Sequence, residues 1–182
     1  MLTTEVHKSY KTRRRSYERL KHRMKHYGLE LEESKSRLIE FGRFAAERRQ
    51  KEGKKPDTFT FLGFTHYCSN SRNGIFRVKR KTSKKKFAKK CKEVHRWIAE
   101  MRTLPVAEII KKLNLMLVGY YHYYGITDNS KALGDFCFRI RCSLFFWLNR
   151  RSQKKSYTCD SFNMLLKEYP LARPRIYVSI YG

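Results

Sequence analysis

The sequence predicts an α+β fold that is mostly α: an N-terminal helix and short strands, a β-hairpin, then a small helical bundle. Three observations carry that expectation. Apolar residues recur at spacings of three, four and seven over much of the chain, as amphipathic helices require. Thr58-Phe59-Thr60-Phe61-Leu62-Gly63-Phe64 instead alternates, and the turn-forming run SNSRNG follows it at 69–74. Hydrophobic residues make up 41% of the 182 positions and aromatics 14%, which argues for a packed core over a disordered chain.

Each element has its own signal. Val6, Tyr10, Tyr17, Leu20, Met24 and Tyr27 form one helical stripe, and Gly28 is a suitable stop. Leu29 and Leu31 alternate, and Arg37-Leu38-Ile39-Glu40-Phe41 reads as a second short strand. Residues 46–57 are charged and contain Gly53 and Pro56, so they read as a loop. Ile75-Phe76-Arg77-Val78 returns as the hairpin's partner strand. Thr82 or Ser83 can cap the next helix, whose stripe is Phe87, Cys91, Val94, Ile98 and Met101. Pro105 suits the first turn of a second helix. Its stripe is Ile109, Ile110, Leu113, Leu117, Tyr120 and Tyr124, and Gly125 ends it. Asp128, Asn129 and Ser130 offer caps for a third, which buries Leu133, Phe136, Ile140, Leu144, Trp147 and Leu148. A short helix near 160–169 turns Phe162, Leu165 and Leu166 inward, and the tail RPRIYVSIY is extended. From residue 82 onward the chain therefore reads as a compact helical bundle.

The charge points to a partner. Against 42 Lys+Arg stand 16 Asp+Glu, a formal net charge of +26. Self-repulsion of that size destabilises a compact chain, and a polyanion relieves it by counterion release. The ten Lys/Arg from Arg77 to Lys92 have no acid among them. Of these, Arg77, Lys79, Arg80, Lys81, Lys84, Lys85, Lys86 and Lys89 are the expected phosphate contacts, at a strand end and a helix start where backbone amides also favour anions. A second cluster holds Arg150, Arg151, Lys154 and Lys155, and a third holds Arg173 and Arg175. In LVGYYHYYG at 117–125, Tyr120 and Tyr124 continue the apolar stripe and should be core, and Tyr121 follows its other edge. His122 and Tyr123 should be more exposed. Tyr121 and Tyr123 are the rings expected to stack on unpaired bases at the rim.

Catalytic signals are lacking. Asp occurs only at 57, 128, 135 and 160, none beside another acid, so no paired-carboxylate metal site is formed. No Walker loop, G-x-S-x-G or H-E-x-x-H is present. His22 and His26 read as solvated helix residues, and Cys91, one turn from His95, as a buried thiol. The five cysteines contain no C-x-x-C, which fits a reducing interior. No catalytic or metal-ligating residue is assigned. No run approaches the roughly 18 apolar residues of a membrane span. The basic start MLTTEVHKSYKTRRRSYERL, faintly like a transit peptide, makes an ordinary helix.

Five segments together resemble group II intron-encoded reverse transcriptase/maturases: GLELEESKSRLIEFGRFA, TFTFLGFTHYCSNSRNGIFRVKRKTSKKKF, LVGYYHYYGITDNS, WLNRRSQKKSYT and PRIYVSIY. The likeness covers nearly the whole chain after about residue 16, with the motifs in the family's order. It implies three parts: 1–57 as a remnant of the palm, 58–80 as the hairpin at the palm–thumb junction, and 81–182 as the thumb, or maturase-specific, helical domain. It makes Phe61, Leu62, Gly63 and Phe64 primer-grip-like and matches Lys35 to a lysine near the last palm strands. The family's Tyr-X-Asp-Asp motif should lie upstream of the first helix, and this sequence starts too late to contain it. No cofactor is then expected on this chain, magnesium belonging to that catalytic region. Where the family has an aromatic beside the Thr of its last small helix, this chain has Cys159. The implied function is an RNA-binding, maturase-like fragment that stabilises folded group II intron RNA and assists its splicing, bound to RNA in a bacterial-type cytoplasm. Further implied partners are DNA or an RNA–DNA duplex, a second copy of the chain, or a separate catalytic chain. Two alternatives stay open: part of a split RNA-directed DNA polymerase, and a non-functional truncated intron reading frame.

Overall fold

A computed structural model describes residues 10–71, 73–152 and 156–180, with the side chains of all but 10–13 and 35. Val6, Lys154 and Lys155 fall outside the described residues, as do the side chains of Tyr10 and Lys35. The elements run α1 (Tyr10–His26), α2 (Arg43–Lys51), β1 (Phe59–Phe61), β2 (Phe64–Asn70), β3 (Phe76–Thr82), α3 (Lys84–Met101), α4 (Val106–Tyr124), α5 (Ser130–Leu148) and α6 (Cys159–Glu168). This is the expected mostly helical α+β class, with one antiparallel sheet in the order β1-β2-β3. The chain forms two compact units. Met1–Phe61 with Thr65–Lys79 make the first, and Leu62–Phe64 with Arg80–Gly182 the second.

In the first unit, two expected elements are replaced. Residues 29–31 and 37–41 form no strand; a single 3-10 turn, Glu33–Lys35, lies between them. Leu29 and Leu38 are exposed, and a strand without a partner ladder gains nothing from alternation. The expected loop 46–57 is helical as far as Lys51. Ala, Glu, Arg, Gln and Lys are strong helix formers, and Arg43 pairs with Glu47 one turn on at 3.0 Å. Gly53 and Pro56 follow the helix instead of dissolving it. Along α1, Tyr17, Leu20 and Met24 are half-buried and Tyr27 is exposed, while Lys21 bridges to Glu33 at 2.6 Å.

The expected hairpin is also refined. The run 58–64 is not one strand, because the chain reverses at Leu62 and Gly63, with φ of 46° and 80°. A two-residue turn with both central residues at positive φ matches the right-handed twist of its strands. Gly63 supplies one such position freely, whereas Leu62 adopts it at a cost. The partner of β3 is therefore β2, and β1 is a third strand.

The second unit holds the core. Val94 and Ile98 of α3, Ile109, Ile110, Leu113, Leu117, Tyr120 and Tyr121 of α4, and Leu133, Phe136, Ile140, Leu144 and Leu148 of α5 close over one another, with Phe162 of α6. These follow the expected stripes, but Phe87, Cys91, Met101, Tyr124, Trp147, Leu165 and Leu166, expected in them too, are only half-buried. Ser83 caps α3 by accepting from the Lys86 amide, and Thr158 and Ser161 cap α6 reciprocally. Asn129, expected as a helix cap, makes no capping bond with its side chain. Its buried carboxamide instead accepts from the Thr82 amide at 2.8 Å and donates to Thr82 Oγ1 at 2.7 Å and to the Tyr124 carbonyl at 2.9 Å. The tail is tied down at two places. Asn114 donates to the Pro170 carbonyl and accepts from the Ala172 amide, and Val178 bridges to Ile126. At Gly125 a Cβ would stand 2.3 Å from the Tyr121 carbonyl and 2.7 Å from that of Arg175, so only glycine lets the tail approach.

Asn129→Asp is nearly isosteric but replaces the donating NH2 with an oxygen, leaving the Tyr124 carbonyl without its donor. Each buried group so orphaned costs about 1–3 kcal/mol. Urea unfolding should show a midpoint lowered accordingly with an unchanged m-value, and an unchanged midpoint would refute the role given to this carboxamide.

Candidate nucleic-acid interface

Helix α3 carries the basic surface. It is held to the bundle by Val94 and Ile98, with Phe87, Cys91 and Trp97 packed beside them, and its lysine face turns to solvent. Lys85, Lys89, Lys92 and Arg96 follow at four, three and four residues, so they line one continuous outer stripe. Lys84 and Lys86 are exposed beside it. Glu93 pairs with Lys90 at 3.5 Å and Lys89 at 3.9 Å; both are exposed pairs, weak by nature. Lys92 and Arg96 were not among the assigned contacts. The helical periodicity of the run, extended one turn past its last lysine, would have found Arg96.

Between α3 and α4 lies an open groove of about 490 Å3. Lys86, Lys89 and Lys90 line one wall, and Gly119, Tyr123 and Tyr124 the other. The groove thus brings together two signals far apart in the chain, the lysine run and the tyrosine cluster.

The tyrosines sort differently from expectation in two cases. Tyr121 was expected at the rim, but it is 1% exposed and closed within the core, so it offers no stacking face. The 100° step per residue sets it beside Leu117 on the inner side. Burial pushes the Tyr120 and Tyr121 hydroxyls well above the ordinary tyrosine range, so both stay neutral. Tyr124 was expected in the core, but is half-buried against it. Its hydroxyl lies 2.9 Å from where a Cβ on Gly63 would be, so the ring seats the glycine of the β1–β2 turn. Tyr123 is 56% exposed, with its hydroxyl donating to the Leu62 carbonyl at 3.0 Å. The Gly63 carbonyl accepts from the Ser83 amide at 2.8 Å. His122 stacks on Tyr177 at 3.9 Å.

The remaining expected contacts divide. Arg77 and Lys79 belong to the first unit, and Arg80 and Lys81 open the second. The Arg80 amide donates to Asp128. Arg150 is exposed, with its guanidinium 3.4 Å from the centre of the Phe146 ring. Arg151 must be corrected: its part-buried guanidinium donates to the Arg102 and Leu104 carbonyls and so fastens the α3–α4 loop. Phe61 lies in the first unit and Leu62–Phe64 in the second. His22 and His26 are exposed. Among the described residues no group of three or more His, Cys, Asp or Glu converges. No helix among them is long and apolar enough to cross a membrane.

Residues 77–163 match the family model for the group II intron, maturase-specific domain. The match supports a maturase-specific domain in this segment and a maturase role in group II intron splicing. It runs from β3 into α6 and takes in the whole α3–α4 groove. No curated protein and no solved structure matches the chain.

The two adjacent tyrosines should separate in a thermal melt. Tyr121→Ala removes a fully buried ring and should cost about 3–5 kcal/mol. Tyr123→Phe removes one exposed hydrogen bond and should cost about 0.5–1.5 kcal/mol. Equal losses would contradict the placement of the two rings.

Proposed function

We propose that this chain binds folded group II intron RNA through the α3–α4 groove and the basic stripe beside it, and assists splicing by stabilising that RNA. The observation that carries the proposal is the groove itself, in which lysines face an exposed tyrosine within the maturase-specific segment. Lys84, Lys85, Lys86, Lys89, Lys92 and Arg96 follow phosphates and give affinity with little sequence discrimination. Tyr123 stacks on an unpaired base, which costs little selectivity because every base has a π-face. The assistance is conformational: a cation-rich surface offsets the repulsion between RNA segments brought close by folding. The turn Leu62–Phe64 belongs to the same reading as primer-grip-like, supported by its sequence and by its bonds to Tyr123 and Ser83.

The test is a salt titration of binding to a structured group II intron RNA. Changing Lys84, Lys85 and Lys86 together to Ala should weaken binding at every salt concentration. It should also flatten the log–log slope by roughly 0.7–0.9 for each lost contact. Tyr123→Ala should cost about 1–3 kcal/mol with the slope unchanged. A parental slope in the triple variant would show the lysines to be merely solvated and overturn the proposal.

A further inference from the structure

A second groove, of about 880 Å3, runs along the other side of α3, between it and α5. Its volume is within the about 300–1,000 Å3 of small-ligand sites. Two aromatics of α5 stand in it. Phe138 is 63% exposed and Phe146 38%, two helical turns apart. One face of Phe146 is covered by the Arg150 guanidinium. Phe138 is therefore the open ring, and an aromatic left this exposed on a rigid helix calls for a partner.

The polar groups of the groove say what that partner offers. Trp147 Nε1 can only donate, and it donates to His95 Nε2 at 3.2 Å. His95 Nδ1 must then carry the proton and give it to Ser143 Oγ, 2.6 Å away. That leaves the cations Lys92 and Arg139 and the carboxylate of Asp135. Among the described residues Asp135 makes no ion pair or hydrogen bond, although Arg139 lies one turn from it. What sets Asp135 apart is its place: it is the one carboxylate lining this groove, beside the open ring of Phe138. A carboxylate repels phosphate, so beside RNA it is matched to the donors of base edges and ribose hydroxyls. It is an acceptor alone, with two parallel oxygens. Guanine is the base whose Watson–Crick edge presents two adjacent donors, the ring N–H and the exocyclic amine.

We infer that the α3–α5 groove takes one unpaired guanine of the RNA, stacked on Phe138, with its Watson–Crick edge on Asp135 and its flanking phosphates on Lys92 and Arg139. The inference rests on the RNA-binding reading above but names a different groove and a base preference. Aromatic stacking plus edge hydrogen bonds is how single-stranded positions in RNA are read.

The probe is an RNA hairpin with a single bulged nucleotide, varied among guanosine, inosine and adenosine, with a fully paired hairpin as reference. Binding is measured by fluorescence anisotropy. The unsubstituted chain should prefer bulged guanosine over adenosine by roughly tenfold, with inosine between them. Phe138→Ala should lower affinity for the bulged guanosine hairpin roughly tenfold and leave the paired hairpin unchanged. Asp135→Asn should bring the guanosine-to-adenosine ratio close to one. Both side chains are exposed, so both variants should melt normally. If the parent chain binds all four hairpins alike, or if either variant keeps the parental ratio and affinities, the inference is overturned. The lysine triple variant then decides whether the wider reading survives. If the parent binds none of the hairpins and no intron RNA, both fall together.

Discussion

The helical unit depends on one buried carboxamide. Asn129 joins the end of β3, the end of α4 and the start of α5 through three hydrogen bonds to Thr82 and Tyr124. Hydrophobic packing can hold helices together, but it is non-directional and leaves them free to slide. A buried amide is different, because its donors and acceptors must all be met and only one arrangement of the backbone meets them. Thr82 immediately precedes Ser83, the cap of α3. Fixing Thr82 therefore fixes where α3 begins and which way it points. The register of the lysine stripe against the tyrosines of α4 follows from that.

This arrangement also shows how the chain carries its charge. The cations of α3 repel one another in every state of the protein, but far less when screened or when a polyanion is bound. The helix stays in place because Val94 and Ile98 bury fully on the opposite face, and because its first turn is capped. The apolar core thus does the folding, and the basic face is left unsatisfied for a partner. Glu93, within α3, makes only weak exposed pairs with Lys89 and Lys90. The free energy of neutralisation is therefore kept for binding and is not consumed within the fold.

What could be read from the sequence follows this division. The core of α3–α6 was legible almost residue by residue, because a stripe of period 3.6 has one physical solution once helices pack. The strand expectations at 29–31 and 37–41 failed because alternation is informative only where one face is buried and a partner ladder exists. Helix α2 was hidden by its charge, since polarity and flanking Gly and Pro resemble a loop although each residue favours a helix. The turn at Leu62 was hidden because leucine seldom takes positive φ, so FLGF resembled an unbroken strand. Arg151 illustrates a further limit. A guanidinium that holds two carbonyls and one that meets a phosphate use the same donors, and composition does not distinguish them. The grooves, in turn, are made by residues far apart in sequence, and only the tertiary fold could place Lys86 opposite Tyr123.

The run LVGYYHYYG gives the clearest view of how one short helix segment serves several surfaces. Successive residues on a helix step by 100°, so five neighbours sweep more than a full turn. Tyr120 and Tyr121 face inward; Tyr120 stacks on Phe136 at 3.8 Å. His122 meets the tail at Tyr177. Tyr123 borders the lysine groove and holds the Leu62 carbonyl, and Tyr124 closes over Gly63 while its own carbonyl is held by Asn129. The inward rings fill the core, where their hydroxyls find no partner, whereas Tyr123 uses its hydroxyl to anchor the Leu62 carbonyl. The crowding therefore reflects a junction where core, turn, tail and groove meet within one and a half turns of α4. The two flanking glycines fit the same geometry. Gly119 leaves the groove wall open beside Tyr123, and Gly125 admits the tail against the helix end.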